Sequence, residues 1–250
     1  MKLIKLTSEQ QNIINNPVSS KIFLEGPAGS GKTTVAVNRI IRLLSEGIRG
    51  DSILIVVPQN TLATPYRVIK NPEFTGGAVV AIQTISGLAR KMIETYWPMI
   101  AQKAGFARPD KEPTFLSLET AQYYMANIVK PLIYRGYFQT ITIERNRIYS
   151  QILDNLNKAA LVGFPVSTIG ERLKSSLAGE KSYERTCDEV QTCASAFREF
   201  CLSHNLLDFS LKIEIFFNYI WTCSACYRHL TETFSHIIVD NIEEDTPVAH

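Results

Sequence analysis

Gly26-Pro27-Ala28-Gly29-Ser30-Gly31-Lys32-Thr33 reads G-x-x-x-x-G-K-T, the pattern of a loop that holds phosphate. An apolar run, Lys21-Ile22-Phe23-Leu24-Glu25, precedes it, and a helical pattern from Thr34 to Leu44 follows. Strand, glycine loop and helix form the context such a match requires. Glycines let a backbone wrap close to an anion and aim its N–H groups inward, and a helix N-terminus adds positive potential. In this chemistry Lys32 reaches the β- and γ-phosphates and the Thr33 hydroxyl sits on Mg²⁺. The residues expected around a bound nucleotide are therefore Gly26, Pro27, Ala28, Gly29, Ser30, Gly31, Lys32, Thr33 and Thr34.

The rest of the chain supplies a setting. Its 250 residues allow one large domain or two small ones, and 45% hydrophobic with 20% charged residues is ordinary for a globular protein. The longest apolar stretch, Ile53 to Val57, has the length of a buried strand and falls far short of a membrane span. Met1–Lys5 carries no apolar core for a signal peptide, and five cysteines, an odd number, fit a reducing, cytoplasmic setting. A net charge of +2 argues little about partners, but its distribution is uneven. Residues 1–100 carry +5, residues 101–200 carry +2 and residues 201–250 carry −5, so the acidic end suits a metal-binding segment.

A βα rhythm frames the loop. Leu6 to Ile14 reads as a short helix capped by Thr7 or Ser8 and ending near Asn16-Pro17. Gln10, on that helix, carries an amide that both donates and accepts and so can read adenine. The β-branched run Ser52–Val57 is expected as a central parallel strand that stops at Pro58-Gln59-Asn60-Thr61. Gly76-Gly77 leads into a second strand, Ala78–Ile82, ending in Gln83-Thr84-Ile85-Ser86 and a helix. Ligands meet parallel sheets at the carboxyl ends of strands, which makes both strand ends candidate contact loops. The rhythm breaks around Trp97-Pro98. Residues 98–205 read as helices and loops with no strand, including Leu118–Val129 stopped near Pro131 and a stripe through Ile148, Ile152 and Leu156. Residues 209–220 fit helix and strand periods alike, and their length favours helix. The last strand, Ser235–Asp240, is apolar and ends in a carboxylate. Asp240 is thus the expected Mg²⁺ partner opposite Thr33.

Two such motifs around a helical insertion resemble the N-terminal half of superfamily 1A DNA helicases of the UvrD/Rep/PcrA type. The family's adenine-reading glutamine falls on Gln10 and its phosphate motif on Gly26–Thr33. Its first single-strand contact loop falls on Pro58, Gln59, Asn60 and Thr61, and its second on Thr84, Ile85 and Ser86. Its Leu-Leu-Asp-Phe falls on Leu206–Phe209 and its Val-Asp-Glu on Val239-Asp240-Asn241. The resemblance implies an α/β fold: a RecA-like parallel sheet with a P-loop, built from residues 1–97 and 206–250, interrupted by an all-helical subdomain at 98–205. It implies ATP and Mg²⁺ as cofactors and single-stranded or partly duplex DNA as partner. It also implies a second RecA-like domain that is missing from this chain, and no membrane.

Several positions depart from the family pattern. The glutamate that orients the attacking water is Asn241, which cannot accept a proton, with Glu243 and Glu244 as the nearby carboxylates that could substitute. Ser86 stands for a histidine, Val57-Pro58-Gln59 for Thr-Phe-Thr, and Thr34 for an arginine. An alternative is therefore a degenerate nucleotide- and DNA-binding module with impaired hydrolysis. A third alternative is a different enzyme on the same loop, such as a small-molecule kinase, but this sequence shows no arginine-rich lid near the phosphate site, and the Leu6–Gln10 and Leu206–Phe209 matches have no place in that reading. Cys223-x-x-Cys226 could bind metal with help from Cys187, Cys193 or Cys201, or act in redox chemistry, but buried hydrophobes are the simpler reading. Tyr123, Tyr124, Tyr134, Tyr137 and Phe138 could stack bases and, at helical spacing, are expected in the core.

Overall fold

The computed structural model describes residues 6–70, 78–176 and 183–249. The chain divides into two compact units: Met1–Ile85 with Arg228–Asp245, and Ser86–Tyr227 with Thr246–His250.

The first unit is a parallel sheet flanked by helices. Strand β1 (Ile53–Val56) lies between β2 (Ala81–Gln83) and β5 (His236–Val239), both parallel to it. Val56 sits level with Gln83 on one side and Val239 on the other. All four residues of β1 are buried, as a β-branched strand enclosed on both faces requires. Helix α1 (Ser8–Ile14) opens with a capping box in which Thr7 and Gln10 satisfy each other's backbone N–H groups. Helix α2 (Lys32–Ser45) buries Val35, Ile40 and Leu43. Ile40 and Leu43 meet Ile53, Ile55, Val57 and Val80, together with Tyr66 and Ile69 from the tight helical turns of Asn60–Lys70, to form the core under the sheet.

Lys21–Glu25, expected as the strand before the glycine loop, is not a strand. None of the described residues pairs with it, Phe23 is 84% exposed, and a groove of ≈ 920 Å³ separates it from β5. Side chains on this run are apolar enough for a strand, but strand conformation also needs a neighbour to take its backbone bonds. Its position is fixed at the upstream end instead. The guanidinium of Arg39, nearly buried, donates to the carbonyls of Ile14, Asn16 and Pro17. Arg42 also donates to the Ile14 and Asn16 carbonyls and the Ser20 N–H to that of Pro17, so Arg39→Leu removes charged donors without orphaning the acceptors and is expected to cost about 1.5 kcal/mol, read from the denaturant midpoint. Gly76-Gly77, expected to introduce β2, lies outside the described residues.

The second unit is largely helical: α3 (Ile85–Ile100, whose first residue belongs to the other unit), α4 (Leu118–Tyr134), α5 (Arg145–Val162), α6 (Ile169–Ser176), α7 (Glu184–Ser203) and α8 (Phe209–Ile215). Helix α3 runs through Pro98 to Ile100, anchored where the Trp97 indole N–H donates to the Lys111 carbonyl at 2.6 Å and the ring meets Phe106 edge-on. Pro131 likewise sits inside α4. The region also holds a short strand, β3 (Thr114–Phe115), paired in parallel with β4 (Leu206–Leu207). After α8 the chain widens into a π turn, Phe216–Ile220, and that shift in period accounts for a stretch that matched both strand and helix. Tyr123 and Tyr134 are exposed, contrary to their expected place in the core, whereas Phe138 is buried. Helix α9 (Ser224–Thr233) leads into β5. No helix among the described residues is long and apolar enough to cross a membrane.

Candidate nucleotide site and strand-end loops

The parallel register aligns the carboxyl ends of β2, β1 and β5, and of the expected site residues Asp240, Pro58–Thr61 and Thr84–Ser86 follow those ends, whereas Gln10 lies on α1 and the glycine loop leads into α2. Gly29 and Gly31 take positive φ values of 78° and 88°, and Gly31 forms the N-cap of α2. The positive φ favours glycine at Gly31, and an added Cβ there would lie 2.7 Å from the Gln10 amide nitrogen and displace that side chain. The loop makes a turn in which the Ser30 N–H donates to the Pro27 carbonyl at 3.2 Å, and it ends on a 14-residue helix whose first N–H groups have no helical partner. Lys32 folds over the loop, its ammonium donating to the Gly26 carbonyl at 2.7 Å and to that of Pro27 at 3.4 Å. Gln10 reaches the same loop. Its Nε2 donates to the Ser30 carbonyl at 3.0 Å while its Oε1 accepts from Thr7 N–H at 3.0 Å, leaving one N–H and one lone pair for other partners.

Asp240 closes the arrangement from the end of β5. The Thr33 hydroxyl donates to Asp240 Oδ2 at 2.9 Å across 207 residues of sequence. Asp240 is 7% exposed and accepts two further bonds: the Tyr66 phenol donates to Oδ2 at 2.8 Å, and the Asn241 N–H donates to Oδ1 at 3.1 Å. Burial, reinforced by the adjoining carboxylate, pushes the Tyr66 phenol well above its ordinary range, so it is a donor at any working pH. Sequence reasoning misses Tyr66 because its only signal is one aromatic in a polar loop; the strand order that brings it to Asp240 is a tertiary fact. Tyr66→Phe keeps the ring and removes one donor from a buried carboxylate. It is expected to cost about 2 kcal/mol in stability, measured by urea unfolding.

Thr33 and Asp240 bring one hydroxyl and one carboxylate together, and no group of three or more His, Cys, Asp or Glu side chains among the described residues is placed to hold a metal. That sparse donor set suits Mg²⁺, which keeps several waters and takes one or two protein ligands beside phosphate oxygens. It also means that the three upstream cysteines do not complete a zinc site with Cys223 and Cys226, and all five thiols are free. Asn241 adopts a left-handed conformation (φ 54°), and the exposed Glu243 and Glu244 follow on the turn Ile242–Glu244. Pro58, Gln59, Asn60 and Thr61 follow β1, the last three exposed. Thr84, Ile85 and Ser86 follow β2 and are half-buried.

A parallel sheet that sets a glycine loop beside a strand-terminal aspartate defines a nucleotide-binding class of α/β protein. Within that class the family is shown by sequence: the UvrD/REP helicase N-terminal domain matches residues 6–246, and the chain belongs to this family. The chain is also similar to one subunit of the ATP-dependent helicase/deoxyribonuclease of Bacillus licheniformis, with 33% identity over 89 residues. That alignment covers 35% of this chain and 7% of the relative's length.

Proposed function

We propose that this chain is the ATP-binding N-terminal portion of a UvrD-like DNA helicase or translocase. In this reading the sheet-bearing unit is a RecA-like domain with a P-loop, and the helical unit is its inserted subdomain. The observation that supports it is the bond from Thr33 to Asp240, which brings together, from opposite ends of the chain, the two side chains that would hold Mg²⁺. Gly26–Thr34 would hold the phosphates, Gln10 would face the base, and Thr33 with Asp240 would hold the metal. The bound metal nucleotide supplies a polarised γ-phosphoryl group and a charge that Lys32 offsets. Lys32 and the loop N–H groups do the orienting, and Tyr66 and Asn241 keep the Asp240 carboxylate turned toward Thr33. Pro58–Thr61 and Thr84–Ser86 would meet single-stranded DNA, and a second RecA-like domain outside this chain would complete the ATPase. Cytoplasmic location fits five free thiols.

A second reading has a specific observation behind it. Asn241 occupies the position of the catalytic glutamate, and its amide can neither accept a proton nor carry charge. A degenerate module that binds nucleotide and DNA but hydrolyses poorly follows from that residue. ATPase assays with and without single-stranded DNA, run on the protein in its longest form, separate the readings. DNA-stimulated turnover lost in Lys32→Ala supports the helicase; nucleotide binding without turnover supports the module.

A further inference from the structure

Cys223 and Cys226 stand apart from the other thiols by geometry. Cys223 precedes the ten-residue helix α9, and its carbonyl accepts from Tyr227 N–H at 2.9 Å, the first bond of that helix. Cys226 lies one turn on and is fully buried, while Cys223 is partly exposed. Cys223 stands immediately before the first turn of α9, whose leading N–H groups have no helical carbonyl to bond, and Cys226 lies within that turn. Residues three apart on a helix have Cα atoms roughly 5 Å apart, inside the window a disulfide spans. Cys187, Cys193 and Cys201 are all buried along α7 and present no second thiol in this arrangement.

We propose that Cys223 and Cys226 form a redox-active dithiol that exchanges with low-molecular-weight disulfides of the glutathione type. The asymmetry sets the order of events. The N–H groups at the start of α9, the Cys226 thiol and the Lys103 ammonium hold the Cys223 thiol below its ordinary range, so it is the nucleophile. Burial pushes the Cys226 thiol up to about 12, so it waits as the resolving group. Cys223 thiolate attacks one sulfur of the small disulfide, forming a mixed disulfide and releasing one small thiolate. The Cys226 thiol passes its proton to that thiolate and attacks Cys223 sulfur, expelling the second small thiolate, which takes up the proton Cys223 had lost. Two electrons and two hydrogens leave the protein, and one disulfide becomes two thiols. Zinc is the poorer fit to the same pair, because two thiols without a third ligand among the described residues make half a site.

The test uses the reduced wild-type protein. Iodoacetamide labelling at neutral pH, read by peptide mass mapping, is expected to modify Cys223 on the order of 10-fold faster than any other cysteine, with a pH midpoint below that of an ordinary thiol. Incubation with oxidised glutathione is expected to remove two hydrogen atoms from the intact mass, to join the Cys223 and Cys226 peptides, and to reverse with dithiothreitol. Cys226→Ser is expected to trap glutathione on Cys223. Uniform labelling rates, five free thiols after oxidation, or a disulfide mapped to other cysteines would each overturn the proposal.

Discussion

Replacing Lys32 with alanine is expected to abolish nucleotide turnover and to weaken Mg²⁺-ATP binding at least tenfold. Lys32 is folded over the glycine loop, its ammonium 2.7 Å from the Gly26 carbonyl. Anchored in the first turn of α2, it has only to shift from loop carbonyls to phosphate oxygens to engage a nucleotide. Removing a preorganised charge of this kind from a phosphoryl-transfer site costs on the order of 10²–10³ in rate. The fold should survive, because the side chain contributes to the loop and not to the core under β1. Steady-state ATPase assays, with circular dichroism as the control for folding, check the prediction. Retained turnover in a folded Lys32→Ala protein would place the phosphate elsewhere.

Asn241→Glu is expected to raise turnover by roughly 10²-fold or more, the range that a positioned general base supplies. The argument is local. Asn241 follows the strand-terminal Asp240 directly, and its left-handed backbone turns the chain into Ile242–Glu244. A carboxylate at 241 would be the nearest base to a water between Asp240 and a phosphate. The exposed Glu243 and Glu244 sit further along the turn, and general-base work tolerates little displacement. A left-handed glutamate is strained by about 1 kcal/mol relative to asparagine, which sets a modest stability loss against the gain. Rate constants for ATP hydrolysis in both proteins decide it. If wild type already turns over and the substitution adds nothing, Glu243 or Glu244 is the base, and the corresponding alanine variants will show which.

The parts of this chain proposed to carry chemistry are local motifs. The glycine loop, its helix and the apolar strand ending in Asp240 each announce themselves within about ten residues, and the structure brings Thr33 to Asp240 at hydrogen-bond distance. The central position of β1 follows from its unbroken β-branched run. What escapes the sequence depends on neighbours. Lys21–Glu25 has the side chains of a strand but no paired backbone, so its apolar pattern misleads. Thr114–Phe115 pairs with Leu206–Leu207 across some ninety residues, too short a ladder to leave a period-2 signal. Pro131 reads as a helix stop, yet its helix runs on for one more turn to Tyr134. Tyr66 becomes visible only once the turns after β1 place its hydroxyl on Asp240.

Calorimetric titration of this chain with ATP, in Mg²⁺ and again in EDTA, bears most directly on the proposal that Gly26–Thr33 and Asp240 form one Mg²⁺-nucleotide site. Saturable binding that weakens at least tenfold in EDTA, and equally in Asp240→Ala with Mg²⁺ present, is the predicted result. Binding that ignores Mg²⁺ and Asp240, or no binding at all, would contradict it.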